Sequence, residues 1–189
     1  NDNTGTLTGT PTQDELGEHN VVITATDPSG GVTNQSFTIS VANVNDKPVF
    51  TSTPTTEGTE DSEYKYEIEV TDEDNQISVL TVPTLPEWLT FTDNNDNTGT
   101  LTGTPIQDQV GAHNVVITAT DPSGGVTNQS FIISVANIND KPVFISTPTT
   151  EGTEDSEYSY SIVVTDEDNQ ISVLTVPTLP KWLTFTDNN

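Results

Sequence analysis

The side chains of this sequence that could do chemistry are nearly all carboxylates. Aspartate and glutamate number 29 against four lysines, so the formal net charge is −25 over 189 residues. No serine, cysteine or lysine stands in a motif that would activate it as a nucleophile. The chemistry that remains for so many carboxylates is the binding of hard cations, which prefer oxygen ligands. We therefore expect no enzyme activity.

The loop DNNDNTG at residues 93–99 is one acidic stretch that looks like a calcium loop. Its glycine falls one position late for an EF-hand, and no bidentate glutamate follows at position 12. Asn and Asp side chains commonly bond to their own backbone in turns. We therefore predict a turn here rather than a metal site.

Tryptophan and histidine are the other candidate binding groups. Trp88 and Trp182 could stack on sugars, but each sits in PxWLTF directly before a hydrophobic residue, which favours packing in a core. His19 and His113 occur once per repeat close to a glycine. We expect them at surface strand positions rather than at a metal or a catalytic site.

Composition excludes several classes of partner. With no arginine and no basic patch, the chain is expected to bind neither nucleic acid nor an anionic membrane directly. No apolar run approaches the roughly 18 residues needed to span a bilayer. Cysteine is absent, so neither a disulfide framework nor a thiolate metal site is available.

The sequence is a tandem repeat with a period of 94 residues. When residues 1–95 are aligned with residues 95–189, only 11 of the 95 pairs differ. This period is close to the roughly 100 residues of an immunoglobulin-like sandwich and far above the 20 to 50 of solenoid repeats. Each period is therefore predicted to be one domain.

Differences between the copies follow the periodicity of strands. In EYKYEIEVT, Lys65, Glu67 and Glu69 change in the second copy, whereas the tyrosines and aliphatic residues between them recur. Period two places the changing set toward water and the constant set toward a core. About seven such runs per period, separated by turn clusters such as DPSGG, predict an all-β fold of tandem antiparallel β-sandwich domains.

The segment NVNDKPVF predicts the domain boundary, because Pro48 stands at a strand start, where proline is tolerated. Residues 45–138 then form one complete domain, residues 1–44 the back half of the preceding one, and residues 139–189 the front half of the next. Two interpretations stay open. The chain is a window on a longer array, or a free fragment whose molecules pair head to tail, since each half alone leaves open strand edges.

Several motifs resemble those of a known family. VANVNDKPVF resembles the interdomain signature of cadherins, TDED at residues 71–74 their paired-aspartate motif, and TATDPSGG at residues 118–125 their Asp-then-Gly motif. LPEWLTF followed by TGTLTGTP and DQVGAHNVVITATDPSGG is similar to the dystroglycan-type cadherin-like repeats, also described as putative Ig repeats, of bacterial surface adhesins. The resemblance covers the whole chain and implies cadherin-like (Ig-like) sandwiches with structural Ca²⁺ at their junctions.

Two ligand sets follow from this resemblance. The set after the first half-domain is Asp14, Asn45, Asp46, Asp72, Asp74 and Asp121. The next set is Glu60, Asp108, Asn139, Asp140, Asp166 and Asp168.

The chain departs from the cadherin pattern at two positions of each junction. Asn43 or Asn137 stands where the pattern has aspartate, and Lys47 or Lys141 stands where it has asparagine. One carboxylate fewer implies one or two ions per junction. The alternative, that these acids are solvated turn residues, leaves the repulsion among them uncompensated, on the order of 1 kcal/mol for each close pair in water.

The resemblance implies an extracellular or cell-surface location and a structural role. Tandem sandwiches joined through Ca²⁺ would form a stiff rod that extends a large bacterial surface adhesin or filament, with neighbouring copies of the same repeat as partners. The alternative is a carbohydrate-binding or other ligand-binding module of an extracellular multidomain protein. Glycan binding would need aromatic side chains exposed on one sheet face, whereas the alternation assigns nearly all of them inward.

Overall fold

The alternation of apolar and polar residues sets the positions of the strands. The computed structural model describes residues 3–170 and 173–188; residues 1–2, 171–172 and 189, which belong to the predicted half-domains 1–44 and 139–189, lie outside the described residues. The strands within the described residues are β1 Gly17–Thr26, β2 Val32–Val41, β3 Val49–Phe50, β4 Glu57–Thr59, β5 Tyr64–Thr71, β6 Val79–Thr84, β7 Leu89–Asp93, β8 Thr98–Gly103, β9 Gly111–Thr120, β10 Val126–Ala136, β11 Val143–Phe144 and β12 Val164–Thr165.

Two 3₁₀ helices precede the long hairpins, η1 Gln13–Glu15 before β1 and η2 Gln107–Gln109 before β9. In the ranges that the structure describes, no helix has the length and apolar character needed to cross a membrane.

Strands β3 to β10 form a β-sandwich, which we call the central sandwich. One sheet has the order β4-β10-β9-β6 and the other the order β3-β5-β8-β7. The hairpin of β9 and β10 is the longest pairing in the sandwich, running from Thr120↔Val126 to Gly111↔Val135. The core comprises Tyr64, Tyr66, Ile68, Val70, Leu80, Leu89, Leu101, Val115, Ile117, Ala119, Ile133 and Val135. The predicted all-β sandwich fold is confirmed.

Strand β5 shows why the alternation is informative. Its residues alternate strictly between buried and exposed, with Tyr64 and Ile68 among the buried ones. Lys65 and Glu67 lie on the exposed face, where Lys65 Nζ is 2.6 Å from Glu67 Oε1. The positions that differ between the copies are therefore the solvated ones, as predicted.

The sandwich departs from the expected pattern in one pairing. Strand β4 runs parallel to β10, with Val135 opposite Gly58, whereas the other strand pairs are antiparallel. The cause is that the chain leaves β3 in one sheet and crosses to the edge of the other sheet, where it forms β4. The first strand of the domain is thus divided between the two sheets. The sandwich consequently has eight strands rather than about seven.

The same sequence is less regular outside the central sandwich. Strands β1 and β2 form a hairpin in register from Gly17↔Val41 to Thr26↔Val32, but nearly all of its residues are exposed. Residues 158–163 and 183–187, the counterparts of most of β5 and of β7, form no strand, and the end of the β5 counterpart is the two-residue strand β12. Residues 4–9, the counterpart of β8, likewise form none. Strand formation therefore follows the presence of a pairing partner.

The acidic loop at residues 93–99 is a turn, as predicted. Asp93 Oδ1 accepts a hydrogen bond from the Asn95 N–H at 2.9 Å, and Asp96 Oδ1 accepts one from the Thr98 N–H at 3.1 Å. Asn95 and Asn97 adopt φ values of 59° and 67°, which asparagine tolerates. The loop uses its side-chain oxygens to hold its own backbone.

Trp88 and His113 pack against each other. Trp88 contacts Tyr64 and His113 edge-on, with ring centroids 5.6 and 5.7 Å apart, and packs against the core as predicted. His113 was expected at a surface position but is half-buried, because its ring lies against Trp88. Its Nε2 is 2.6 Å from the Gln109 carbonyl oxygen, to which the ring N–H donates.

Replacing Gly103 by alanine should destabilise the central sandwich. A Cβ at this position would overlap the main-chain oxygen of Trp88 and lie 3.1 Å from its indole ring. Overpacking of this kind costs about 1–3 kcal/mol, so thermal unfolding should show a melting temperature lower by at least about 4 °C. Gly9 is the same position in the first copy and has nothing within 4 Å of an added Cβ. Gly9→Ala should leave this transition unchanged, and equal effects of the two variants would contradict the packing.

Candidate metal centre

The turn after β5 brings two aspartates to the first linker. Asp72 Oδ1 accepts hydrogen bonds from the N–H groups of Asp74 at 2.9 Å and Gln76 at 3.3 Å. Asn75 adopts φ of 57° in the middle of this turn. The segment TDEDNQ thus folds around the Asp72 carboxylate and leaves the Asp74 carboxylate facing the linker.

A second turn, between β9 and β10, contributes Asp121. Its Oδ1 accepts hydrogen bonds from the N–H groups of Ser123 at 2.7 Å and Gly125 at 2.9 Å. Gly124 has φ of 95°, and a Cβ on Gly125 would overlap the Asp121 carboxylate. Glycine at both positions therefore lets the DPSGG turn close around a buried aspartate.

The linker residues connect these two turns. Asn45 Nδ2 donates to Asp121 Oδ2 at 3.1 Å, and Asn45 Oδ1 accepts from Gln76 Nε2 at 2.9 Å. The Asp46 N–H donates to Asp74 Oδ2 at 2.8 Å. We call the following residues the junction 1 cluster: Asn45, Asp46, Asp72, Asp74 and Asp121.

The preceding half of the chain reaches the junction 1 cluster through Gln13. Its Nε2 donates to Asp74 Oδ1 at 3.1 Å and to the Glu73 carbonyl oxygen at 3.3 Å. The predicted ligand Asp14 lies beside it in η1 and is exposed. The cluster therefore collects groups from three segments of the chain.

Asp72 has an oxygen that the protein does not satisfy. The side chain is 9% exposed, and its Oδ2 has no hydrogen-bond partner. Among the described residues, three buried side-chain polar atoms lack a partner, and this is the one that belongs to a carboxylate. A buried oxygen of this kind is unfavourable unless a donor or a cation meets it.

The second linker carries a closer group of carboxylates. Oxygen atoms of Glu60, Asp61 and Asp140 lie within 4.8 Å of one another. Glu60 is fully buried, and its Oε2 accepts from the Ile138 N–H at 3.1 Å. With its amide nitrogen facing Glu60, Gln107 donates to the two carboxylate oxygens at 2.8 and 3.0 Å.

The turn after β12 adds two more acids to this group. Asp168 Oδ2 accepts from the Asp140 N–H at 2.6 Å, and Asp168 Oδ1 accepts from Asn137 Nδ2 at 2.7 Å. The charge of Asp140, followed by burial and the charges of Asp61, Glu60 and Asp168, raises the pKa of Glu167. The junction 2 cluster is thus Glu60, Asp61, Asp140, Glu167 and Asp168.

Hydrogen bonds favour the ionised carboxylates of the junction 1 cluster. The bond from the Asp46 N–H is the largest cause that lowers the pKa of Asp74, with Asn43 and Gln13 contributing less. Burial raises the pKa of Asp121, but hydrogen bonds from Asn45 and from its own turn outweigh it and lower the pKa overall. The cluster therefore stays negatively charged.

No lysine neutralises either cluster. In residues 3–170 and 173–188 the single ion pair joins Lys65 and Glu67, away from both linkers. Lys47 and Lys141, which stand in the linkers, are exposed. Among the described residues, the clusters therefore have no ion-pair partner.

The carboxylates at the second linker fit a calcium ion. Two ligands on opposite sides of Ca²⁺ lie about 4.8 Å apart, since each bond is about 2.4 Å long, and the three carboxylates of the second cluster fall within this limit. The unpartnered Asp72 oxygen would take an ion as its missing partner. Calcium would supply charge neutralisation and bridging, and the cluster residues would hold it.

Several predicted ligands make no hydrogen bond to the cluster side chains among the described residues. Asp14 and Asp108 lie exposed in η1 and η2, where the adjacent glutamines make the contacts instead. Asp166 accepts from the Gln170 N–H at 3.3 Å within its own turn, and Asn139 Nδ2 donates to the Asp140 carbonyl oxygen at 2.8 Å. That these residues bind an ion stays a prediction.

Two residues of the junction 2 cluster, Asp61 and Glu167, were not predicted from the sequence, nor was Gln76, which contacts Asn45 of the junction 1 cluster. All three stand directly next to a predicted position or within its turn. Adjacent carboxylates in EDS and DED were the available signal. The direction in which each side chain points could not be predicted from the sequence. Asp61, for example, adopts φ of 57° and so departs from the alternation of a strand.

Comparison with known proteins identifies the family. The family model described as Putative Ig domain matches residues 1–42 and 47–136. The chain belongs to the Putative Ig domain family. The two matched stretches are separated by residues 43–46, the linker that carries Asn45 and Asp46 of the junction 1 cluster. No curated protein matches this Putative Ig domain chain.

Several solved structures match this chain, and a cadherin structure with a TM-score above 0.5 shows the same fold. "Protocadherin Gamma B2 extracellular cadherin domains 3-6" matches at 20% identity and TM-score 0.56, covering 82% of this chain and 40% of that one. The SrpA adhesin from Streptococcus sanguinis matches at 17%, TM-score 0.45, covering 58% and 69%. The endo-fucoidan hydrolase MfFcnA4 from glycoside hydrolase family 107 matches at 24%, TM-score 0.45, covering 69% of this chain. This Putative Ig domain chain spans 20% of that hydrolase. The predicted cadherin-like, Ig-like recognition is confirmed.

Glu167 should titrate above its usual pKa when calcium is absent. Because its folded pKa exceeds the unfolded value, the folded protein binds more protons between the two values, and stability falls as pH rises through that window. Asp140→Asn should lower the pKa of Glu167, since the Asp140 charge is the largest cause of the shift. An NMR titration of the Glu167 carboxyl group measures both.

Asp96→Asn is the matched control, because it removes an equal charge from the 93–99 loop. It should leave the Glu167 titration unchanged. Saturating calcium should move the pKa of Glu167 below its usual range, because a bound cation favours the carboxylate. A pKa that is the same in Asp140→Asn and in the unmodified protein would contradict the cluster.

Proposed function

We propose that this chain is a structural extender segment of an extracellular surface protein and that calcium holds the junctions between its repeats. The observation that carries the proposal is the buried Asp72 Oδ2, which has no partner and lies in a cluster that joins the linker to the central sandwich. The mutual approach of Glu60, Asp61 and Asp140 at the second linker supports it independently.

The ligand chemistry favours calcium over other metals. Neither cluster contains histidine or cysteine, so zinc and softer metals lack their preferred ligands. Both clusters consist mainly of carboxylates, with the side-chain amide of Asn45 in the first and that of Gln107 beside the second. Calcium accepts six to eight such oxygens in flexible geometry, whereas magnesium demands a tight octahedron and keeps several waters.

An ion at each junction would convert repulsion into a bridge. Asp72 and Asp121 belong to turns of the central sandwich, Asn45 to the linker, and Gln13 to the preceding half. A shared cation would draw these segments to one centre and limit bending. Without it, each close carboxylate pair repels by on the order of 1 kcal/mol in water, more where partly buried, and the linker flexes.

The surface charge suits a repeated domain outside the cell. A net charge of −25 opposes association of neighbouring near-identical domains in the wrong register. Extracellular modules can use weak calcium sites, with dissociation constants of about 10⁻⁴ to 10⁻³ M. The resemblance to repeats of bacterial adhesins supports the same location.

Glycan binding is the rival function and would need aromatic rings exposed on a sheet face. In the central sandwich Tyr64 and Tyr66 are buried, and Trp88 is packed between Tyr64 and His113. Tyr66 Oη also lies 2.8 Å from Gln129 Oε1, to which it donates. These aromatic groups are committed to the fold, so the extender function has the stronger support.

Millimolar calcium should raise the melting temperature by about ten degrees or more over a chelator at matched ionic strength. An ion that binds only the folded state contributes about 2.7 kcal/mol at 100 times its dissociation constant, and each kcal/mol shifts melting by about 4–8 °C. Magnesium should have little effect. Asp72→Asn should remove the contribution of the first junction, and Asp168→Asn that of the second.

Asp96→Asn again controls for the loss of one charge and should keep the full calcium effect. Scanning calorimetry of the four proteins at equal salt gives the comparison. Identical calcium shifts in all four, or identical shifts with magnesium, would show that calcium acts by screening and would overturn the proposal.

A further inference from the structure

The strands by which the chain enters and leaves the central sandwich lie side by side. The chain enters through β3 and β4 and leaves from β10, and β4 pairs with β10 in parallel, with Ser134 opposite Glu57. Both strands of a parallel pair run the same way, so the incoming end of β4 and the outgoing end of β10 point in opposite directions. Tension along the chain would therefore pull the two strands past each other, along their own direction.

Such tension loads the hydrogen bonds of this pair in shear. The Ser134 N–H donates to the Thr56 carbonyl oxygen at 2.8 Å, and the Glu60 N–H donates to the Ala136 carbonyl oxygen at 3.0 Å. These bonds lie at the two ends of the β4–β10 ladder and run across the direction of the pull. The strands cannot slide unless all bonds of the ladder lengthen together, so the bonds resist as a group.

Glu60 continues the ladder beyond the last residue of β4. Its N–H donates to Ala136, and its side-chain Oε2 accepts from the Ile138 N–H at 3.1 Å. The side chain is 1% exposed, and Gln107, with its amide nitrogen facing it, donates to both carboxylate oxygens. A hydrogen bond to an ionised carboxylate is stronger than one between neutral groups. Glu60 therefore ties the end of β4 to the chain that leaves β10.

The segment that joins β3 to β4 is also held in place. Tyr64 Oη donates to the Thr55 carbonyl oxygen at 2.7 Å, and Gln129 Nε2 donates to the Ser52 carbonyl oxygen at 3.0 Å. Tyr64 belongs to the core, and Gln129 belongs to β10 itself. If tension detaches the two-residue pairing of β3 with β5, these contacts and the β4–β10 ladder still hold the chain.

We infer that β4, β10 and the Glu60 side chain form a mechanical clamp, through which the central sandwich resists tension applied along the chain. The resistance follows from the parallel pairing alone. Its use in the protein rests on the proposed function, because a structural extender carries tension between its two ends.

Calcium at the second linker would strengthen the clamp, a step that rests on the proposed calcium function. Glu60 and Asp61 directly follow β4, whereas Asp140 lies in the linker after β10, and their carboxylate oxygens lie within 4.8 Å of one another. An ion shared by these residues would link the end of β4 to the chain leaving β10. This link acts beside the ladder, so both must break before the strands slide.

Force spectroscopy of the full chain in two pulling directions tests the clamp. The sequence has no cysteine, so Val44→Cys with Lys141→Cys attaches handles at exposed positions on either side of the sandwich. Glu57→Cys with Thr84→Cys attaches them to β4 and β6, the opposite edges of one sheet. In chelator, the first pair should unfold the sandwich at a force at least about twofold higher, because shear loads the bonds of the ladder together, whereas a pull across the strands loads them one after another.

Glu60→Gln separates the effect of calcium from the clamp itself. Glutamine keeps an oxygen that accepts from the Ile138 N–H but lacks the charge that would bind the ion. Pulled through the linkers in chelator, this variant should unfold at the force of the unmodified chain. Millimolar calcium should raise that force by at least about half in the unmodified chain and leave Glu60→Gln unchanged, because a carboxylate ligand is lost.

Glu57→Gln is the matched control, because it makes the same change at an exposed position of β4 and should keep the calcium effect. Equal calcium effects in Glu57→Gln and Glu60→Gln would overturn the link between the ion and the clamp. Equal unfolding forces in the two pulling directions would overturn the clamp.

The outcomes also separate the clamp from the proposed function. If the force depends on direction but calcium changes neither the force nor the melting temperature, the clamp stands and the calcium function fails. If calcium raises the melting temperature while both directions unfold at the same force, the calcium function stands and the clamp fails.

Discussion

Repulsion among carboxylates that no internal cation neutralises is the constraint on which the junctions depend. Strands can satisfy their backbone and apolar faces within the protein, but the clusters at the two linkers cannot balance their own charge, because the described lysines do not pair with them. Asp72 shows this most clearly, because its buried Oδ2 has no hydrogen-bond partner. The sandwich buries its own core, whereas under the proposed function the geometry between repeats depends on ions from solution.

The second theme is that nearly identical sequence has two structural outcomes. The segment TGTLTG is a central strand at residues 98–103 but irregular at residues 4–9, and the difference is whether β5 and β7 lie beside it. Local propensity is the same in both places. Non-local pairing thus decides strand formation in this fold, as expected where β propensity reflects packing against neighbours.

Sequence reasoning predicted the fold well because alternation in β5 and β10 directly encodes which face is buried. It missed the parallel pairing of β4, since a three-residue edge strand carries no direction in its pattern. It named Glu60, Asp72 and Asp140, which lie in the two clusters. It could not find Asp61, Glu167 or the contact that Gln107 makes with Glu60. These depend on turn geometry and on which of two adjacent side chains the backbone directs inward.

The most direct test of the account is the distance between consecutive copies across the first linker. The sequence contains no cysteine, so Ser36→Cys and Ser130→Cys give one unique pair of spin labels at equivalent exposed positions. Pulsed electron spin resonance on labelled protein diluted with unlabelled protein reports the intramolecular distance alone. The account predicts a broad distribution in chelator that collapses to one narrow distance in millimolar calcium and stays broad in Asp72→Asn. Identical distributions with calcium and with chelator would contradict it.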